Sequence, residues 1–187
     1  MVPEFRREAM RKNIPLKKVP KRAGVMVLFY PDKNNSVRIL FILRKTYEGV
    51  HSNQVAFPGG KEEKIDSDLL ATALRETEEE VGVPKKMVSV LKELTQVYIP
   101  PSNFMVSPYV GLCSEAISFL IQEEEVEKIL EIPVLDILDE KSIFSKKIKT
   151  SYAVDVDVPA FKLNGYTVWG ATAMMLSEVK DLLKQVL

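Results

Sequence analysis

Apolar stretches alternate along the chain with polar, turn-forming stretches, and this pattern predicts a sheet accompanied by a few helices. Residues 23–30 and 37–44 are apolar runs rich in branched and aromatic side chains, which are typical of buried strands. The Pro, Asp and Asn residues between them favour a turn, so the two runs predict a hairpin. Further strands are predicted over a short segment ending near Trp169 and over residues 87–98, 104–113, 142–149 and 152–157.

Helical spacing of apolar residues is clearest over residues 66–81, which end before Gly82, a residue that favours helix termination. This helix begins with three capping candidates, Asp66, Ser67 and Asp68. Residues 170–186 predict a closing amphipathic helix. Shorter helical patterns are found over residues 4–12 and in two segments of residues 122–139, separated by Pro133.

The mixture of elements predicts one α/β (α+β) sandwich built around a mixed sheet, over residues 22–187. Residues 1–21 form a basic extension in front of it, because residues 1–22 hold eight Lys or Arg against two Glu. The whole chain has 26 basic and 26 acidic residues, so no net charge attracts it to nucleic acid or to a membrane. Its apolar runs are too short to span a bilayer, and we expect a cytoplasmic protein.

Cysteine and histidine chemistry is nearly absent from the 187 residues. The single Cys113 excludes an internal disulfide and a cysteine metal cluster, and the single His51 excludes a multi-histidine metal site. We expect Cys113, Trp169 and the pair Met174 and Met175 to be core residues. Any reaction therefore depends on carboxylates, lysines, arginines and hydroxyls.

Three glutamates share one face of the helix predicted over residues 66–81. At about 100° per residue, Glu76, Glu79 and Glu80 lie within an arc of roughly 100°, beside a separate apolar stripe. Arg75 precedes Glu79 by one turn and is placed to pair with it, whereas Glu78 points away. Carboxylates without His or Cys select hard cations such as Mg²⁺ or Mn²⁺. The alternative interpretation is an acidic, salt-bridged surface.

Residues 60–83 resemble the Nudix box, in which a glycine and an acidic residue precede Arg-Glu-hydrophobic-x-Glu-Glu-x-Gly-hydrophobic. Thr77 stands at a usually aliphatic position, and the interval between the first glycine and the Arg-Glu pair is one residue longer than in the general box. The resemblance implies a Nudix-type α/β/α sandwich and a metal-dependent diphosphatase. The end of the motif is matched by Arg75, Glu76, Glu79, Glu80, Gly82 and Val83.

The longer interval is similar to that of the coenzyme A diphosphatase branch of the family, in which FPGGK and two aspartates precede TALRE. Residues 57–61 and 72–76 match these two segments, with Asp66 and Asp68 between them. Residues 98–103 and 168–173 also look like bacterial members of the branch, so that the resemblance covers about residues 22–186.

Upstream of the FPGG segment, the branch has an arginine and a glycine where this chain has Gly49 and Asn53. Asn adopts positive φ more readily than most residues, so Asn53 predicts a left-handed backbone there. The substrate-binding candidates are therefore Arg44, Lys45, His51 and Gly59.

The resemblance also implies roles for the residues that match the motif. Glu76 and Glu80 are expected to be the main ligands of Mg²⁺ or Mn²⁺, together with the carbonyl group of Gly60. Glu79, oriented by Arg75, is expected to be a further ligand or the base that accepts the proton of water.

Three functions stay open at this point. The first is hydrolysis of coenzyme A or its derivatives to 4′-phosphopantetheine and 3′,5′-ADP. The second is the same chemistry on ADP-ribose or a dinucleotide, which the absence of an arginine at Gly49 keeps open. The third is a non-catalytic module that senses a nucleotide. In each case the partner is a small nucleoside diphosphate, and the assembly is a monomer or a homodimer.

Overall fold

The computed structural model describes residues 19–46, 53–150 and 153–186. The helix predicted over residues 4–12, Gly49 and His51 lie outside these ranges. No helix of the described residues is long and apolar enough to cross a bilayer.

Within the described residues, the larger of two sheets has eight strands and confirms the predicted mixed sheet. Its main path runs β3-β2-β1-β7-β5, with β4 on β1, β6 on β7 and β8 on β2. β1 and β7 are parallel, and every other pair is antiparallel. The strands are β1 (Lys21–Pro31), β2 (Val37–Arg44), β3 (Val55–Ala56), β4 (Gly59–Lys61), β5 (Ser89–Glu93), β6 (Val97–Ile99), β7 (Phe104–Leu112) and β8 (Val126–Pro133).

The smaller sheet and the helices cover the larger sheet. The smaller sheet is antiparallel, in the order β11-β10-β9, and consists of β9 (Ile143–Thr150), β10 (Ala153–Leu163) and β11 (Tyr166–Val168). The helices are α1 (Leu69–Val81), α2 (Val134–Leu138) and α3 (Gly170–Val186), with short 3₁₀ turns at Lys85–Met87 and Glu140–Ser142. The helix predicted over residues 170–186 is thus confirmed at both ends.

Strand β1 separates two apolar cores because its successive side chains point to opposite faces of the sheet. Met26 and Leu28 pack with Ala73 and Val81 of α1 on one face. Val27 and its neighbours on the other face pack against β10, β11 and α3. Burial on both faces explains why β1 reads as a continuous apolar run instead of an alternating one.

Two of the predicted elements are wrong. The first half of residues 122–139 is strand β8 instead of a helix, because Val126, Leu130 and Ile132 are buried while Glu127 and Glu131 are exposed, and the strand pairs with β2. The strand predicted over residues 87–98 is two strands, β5 and β6, which both pair with β7.

Helix α1 is fixed at both ends and along its side. It begins at Leu69, later than predicted, because the carboxylate of Asp68 accepts a hydrogen bond from the Ala71 amide at 2.7 Å and caps the helix. Gly82 ends it in the left-handed conformation, with φ of 73°. A Cβ at Gly24 of β1 would lie 2.1 Å from the Leu69 carbonyl oxygen, so this glycine allows α1 to rest directly on the strand.

Candidate functional site

Strand β4 brings two glycines against the carboxylate face of α1. Gly60 pairs with Gly24 of β1, and a Cβ at Gly60 would lie 2.4 to 2.5 Å from the Glu76 carboxyl group. Gly59 has φ of 146°, and a Cβ there would lie 2.4 Å from the Gly24 carbonyl oxygen, so that only glycine fits. The Gly59 amide donates a hydrogen bond to Glu80 at 2.8 Å. Each glycine therefore touches one glutamate of the helix.

Arg75 connects three carboxylates in one network. Its Nε and Nη2 donate to the two oxygens of Asp66 at 2.9 and 3.0 Å, and its Nη1 donates to Glu76 and Glu79, each at 2.9 Å. The predicted pairing of Arg75 with Glu79 is confirmed. Asp66, one of the three capping candidates, holds the arginine instead of capping α1. These hydrogen bonds hold the pKa of Asp66 well below its usual value, although its desolvation acts in the opposite direction.

Glu80 is buried, which corrects its predicted place on a face beside the packed one. Its side chain is only 2% exposed, and Arg44 Nη1 donates to it at 3.3 Å. Burial raises the pKa of Glu80 to about 8, although the Gly59 amide and the Arg44 charge both act to lower it. The helical wheel fails here because β4 covers this side of α1.

The other two glutamates differ from Glu80 in exposure. The Glu76 side chain is 14% exposed, and burial raises its pKa against the opposing charge of Arg75. The Glu79 side chain is 57% exposed. The three carboxylates thus form a gradient from the interior to solvent within one helical turn, and Glu78, as predicted, lies exposed apart from them.

Glu125 is a member of this neighbourhood that the sequence did not reveal. Its carboxylate lies 3.9 Å from Arg44 Nη2, and its charge contributes to the raised pKa of Glu76 and of Glu80. Its only sequence signal is an acidic run in residues 123–125, inside a segment predicted to be helical. Lys45, the neighbour of Arg44, is paired with Glu127 at 3.6 Å.

A cavity of about 390 Å³ opens beside β4. Arg44, Gly59, Gly60 and Lys61 line one part of it, so three of the predicted site residues, Arg44 and the two glycines, meet there. Trp169 also lines it and is half-buried, so its assignment to the core is wrong, whereas Cys113 and Met175 are core residues as predicted. The remaining wall is mostly apolar and includes Val25, Val55, Phe57, Ile99, Phe104 and Met175.

Asn53, two residues before β3, also bears on the predicted site. It has φ of 53°, which confirms the left-handed backbone predicted at that position. Its amide donates to the carbonyl oxygen of Lys45 at 3.4 Å.

The donor set beside β4 is chemically suited to a hard divalent cation, since all of its side-chain donors are carboxylates. The missing Cβ of Gly60 leaves the space next to the Glu76 carboxyl group open. Within the described ranges, no three Asp, Glu, His or Cys side chains converge closely enough to enclose an ion. Arg75 and the Gly59 amide hold the glutamates instead, through hydrogen bonds.

The chain is similar in sequence to known proteins. The model of the NUDIX domain matches residues 20–149. A Nudix hydrolase NudL from Yersinia enterocolitica is 36% identical over 145 residues, which are 74% of this chain and 70% of that protein.

Solved structures show the same fold at low sequence identity. A MutT/nudix family protein from Enterococcus faecalis has a TM-score of 0.59 at 16% identity, over 98% of this chain and 70% of that one. A C. elegans Ap4A hydrolase in a binary complex has a TM-score of 0.58 at 13% identity, over 88% of this chain and 98% of that one.

Proposed function

The chain belongs to the Nudix family of hydrolases, and we propose that its substrate is coenzyme A or one of its derivatives. Cleavage of the diphosphate would give 4′-phosphopantetheine and 3′,5′-ADP. The observation that carries this proposal is the contact of the cavity with the carboxylate face of α1 at Gly59 and Gly60. A diphosphate held at these glycines has the cavity beside it for one of its two substituents.

The cavity suits the nucleotide half of such a substrate. The half-buried indole of Trp169 offers a flat apolar surface, and Arg44 and Lys61 place positive charge near β4. Aromatic surfaces bind nucleobases by stacking, and guanidinium groups bind phosphate oxygens. The pantetheine half would extend from the other phosphate.

We assign the reaction to the glutamates of α1, which are held by Arg75 and by the Gly59 amide. Nudix hydrolases generally use divalent metal ions, and Glu76, Glu79, Glu80 and the Gly60 carbonyl would hold Mg²⁺ or Mn²⁺, which neutralises phosphate charge and acidifies water. Arg75 fixes the rotamers of Glu76 and Glu79 through Nη1. For the exposed Glu79 carboxylate we propose one of two roles, a further ligand or the base that accepts a proton from water. The amide of Gly59 anchors Glu80.

A second substrate class is ADP-ribose or a dinucleotide. Gly49 supports it, because the coenzyme A diphosphatase branch has an arginine at that position. The third function, nucleotide sensing without catalysis, is disfavoured because the chain retains Glu76, Glu79 and Glu80 together with the supporting Arg75. A cytoplasmic location, and the choice between monomer and homodimer, stay predictions of the sequence.

A substrate panel tests the proposal. The protein is incubated with coenzyme A, ADP-ribose and diadenosine tetraphosphate in Mg²⁺ or Mn²⁺, and the products are identified by mass spectrometry. We expect the highest kcat/KM for coenzyme A, with 4′-phosphopantetheine as a product and no turnover in excess chelator. A higher kcat/KM for ADP-ribose or the dinucleotide would replace the proposed substrate, and binding without any turnover would favour the sensor.

Two matched variants separate the catalytic cluster from the general acidity of the helix. Glu76→Gln changes a half-buried carboxylate that touches Gly60, and Glu78→Gln changes an exposed carboxylate of the same helix that faces away. We expect Glu76→Gln to lower kcat by about 100-fold or more and Glu78→Gln to leave it within about twofold. Equal effects of the two variants would contradict the assignment.

A further inference from the structure

The amino end of α3 opens into the same cavity. Gly170, Ala171 and Thr172 line it, and they are the first three residues of this 17-residue helix. The first four amide groups of a helix have no acceptor within the helix, and the helix dipole places partial positive charge there. Phosphate groups bind at such ends through these amides.

The space in front of this helix end is open. Gly170 has φ of 65°, and a Cβ built on it would meet no atom within 4 Å. At Gly60, by contrast, a Cβ would collide with the Glu76 carboxyl group. A ligand atom therefore has room to approach the first turn of α3.

Thr172 gives an independent indication that a polar ligand belongs here. The residue is only 9% exposed, lines the cavity, and has no hydrogen-bond partner for its hydroxyl group among the described residues. No described side-chain oxygen or nitrogen is both completely enclosed and unpartnered, so the Thr172 hydroxyl keeps some exposed surface, and the residue lines the cavity. The other buried threonines, Thr72 and Thr77, both use their hydroxyls in hydrogen bonds. A hydroxyl group with little exposure and no protein partner is available to a polar ligand or to water.

The charges around the cavity favour an anion. Among its described lining residues Arg44 and Lys61 are basic, and none is acidic. The ammonium group of Lys146 lies 5.0 Å from the ring centre of Trp169, the residue that precedes α3. Because Arg44 is paired with Glu80 and Glu125, Lys61 contributes most of the positive charge among the described lining residues. Lys45, the other basic substrate-binding candidate on this strand end, is paired with Glu127.

We propose that the first turn of α3 and the Thr172 hydroxyl form a subsite for a second phosphate of the substrate, a monoester separate from the diphosphate. The proposal rests on the proposed function, because it places the nucleotide half of the substrate in this cavity. Coenzyme A carries such a phosphate on its ribose, whereas dephospho-coenzyme A and ADP-ribose do not. The subsite therefore makes the enzyme selective for the 3′-phosphorylated nucleotide.

The matched substrates coenzyme A and dephospho-coenzyme A test the subsite with three variants. Thr172→Val removes the hydroxyl at nearly constant shape, and Thr172→Ser retains it. Ser177→Ala is the control, because Ser177 is similarly buried on the same helix but does not line the cavity. We expect Thr172→Val to lower kcat/KM for coenzyme A by about tenfold, mainly through KM, with less than a twofold change for dephospho-coenzyme A. Thr172→Ser and Ser177→Ala should both retain the wild-type preference.

An equilibrium measurement without turnover distinguishes the subsite from the proposed reaction. The metal-free protein is titrated calorimetrically with 3′,5′-ADP and with AMP. We expect the wild type to bind 3′,5′-ADP more tightly than AMP, and we expect Thr172→Val to abolish this preference. If this preference is found but coenzyme A is not hydrolysed, the subsite stands and the proposed function fails. Equal binding of the two nucleotides by the wild type, or equal losses of kcat/KM for both substrates in Thr172→Val, would overturn the subsite.

Discussion

Replacing Gly60 with alanine should displace the Glu76 carboxylate, to which we assign a part in the reaction, while leaving the backbone intact. The φ of Gly60 lies outside the left-handed region, so alanine is permitted there. Its Cβ would, however, lie 2.4 Å from Cδ of Glu76 and 2.5 Å from both carboxylate oxygens. Ordinary contact begins near 3.4 Å, so the carboxyl group must move by about 1 Å. A misplacement of this size costs about 100-fold in rate.

The assay compares steady-state hydrolysis and thermal unfolding of Gly60→Ala with those of Gly165→Ala. Gly165 has φ of 81° and open space around its absent Cβ, so alanine there introduces backbone strain without displacing a neighbour. We expect Gly60→Ala to lose about 100-fold in kcat/KM with a small change in Tm. Gly165→Ala should lower Tm and keep its activity within about twofold.

Two results would refute this reasoning. If Gly60→Ala hydrolyses substrate within about threefold of the wild-type rate, the position of the Glu76 carboxyl group does not limit catalysis. If it loses activity only in proportion to a fall in Tm, the substitution acts on the fold and the local collision is not the cause.

Further predictions concern Glu80, Asp66 and the metal. Glu80→Gln should lower kcat/KM by about 100-fold. Urea unfolding of the metal-free variant at pH 7 should show no loss of stability, because burial disfavours the charged form of Glu80. A clear loss of stability would contradict this. Asp66→Asn should destabilise the protein by an amount that is constant above about pH 5 and shrinks as pH falls below about 4, since the hydrogen bonds from Arg75 lower the pKa of Asp66 in the folded state. A deficit in unfolding free energy that persists unchanged at pH 3 would argue against this clamp. Chelation should abolish hydrolysis, and added Mg²⁺ or Mn²⁺ should restore it in a kinetic assay, whereas full turnover in excess chelator would exclude the metal mechanism.

The sequence predicted those parts of the molecule whose structure depends on local pattern. The spacing of apolar residues gave α3, and the capping and terminating residues gave α1, with its start three residues early and its end correct. The left-handed backbone at Asn53 followed from the steric tolerance of that residue type. These features require only the covalent chain and its nearest neighbours.

The sequence did not predict features that depend on contacts between distant segments. Glu80 is buried because β4 covers one side of α1, and a helical wheel contains no information about that cover. β8 was assigned to a helix because its alternation is short and its pairing with β2 joins residues far apart in the chain. The place of Glu125 beside Arg44 depends on the same pairing. Trp169 was assigned to the core because an indole in an apolar segment gives no sign of a neighbouring cavity.

Gly24 has a consequence for the position of the three glutamates of α1. It is paired with Gly60 on one side and Ser107 on the other, and α1 rests on it through the Leu69 carbonyl. The distance between α1 and the sheet is therefore set by its contact with β1, while Asp66 and Asp68 of the preceding segment hold Arg75 and cap the helix. A side chain at Gly24 would push α1 away from the sheet and carry its glutamates away from β4. Gly24 lies outside the segment that resembles the signature motif, yet its missing side chain decides where the glutamates of that segment lie.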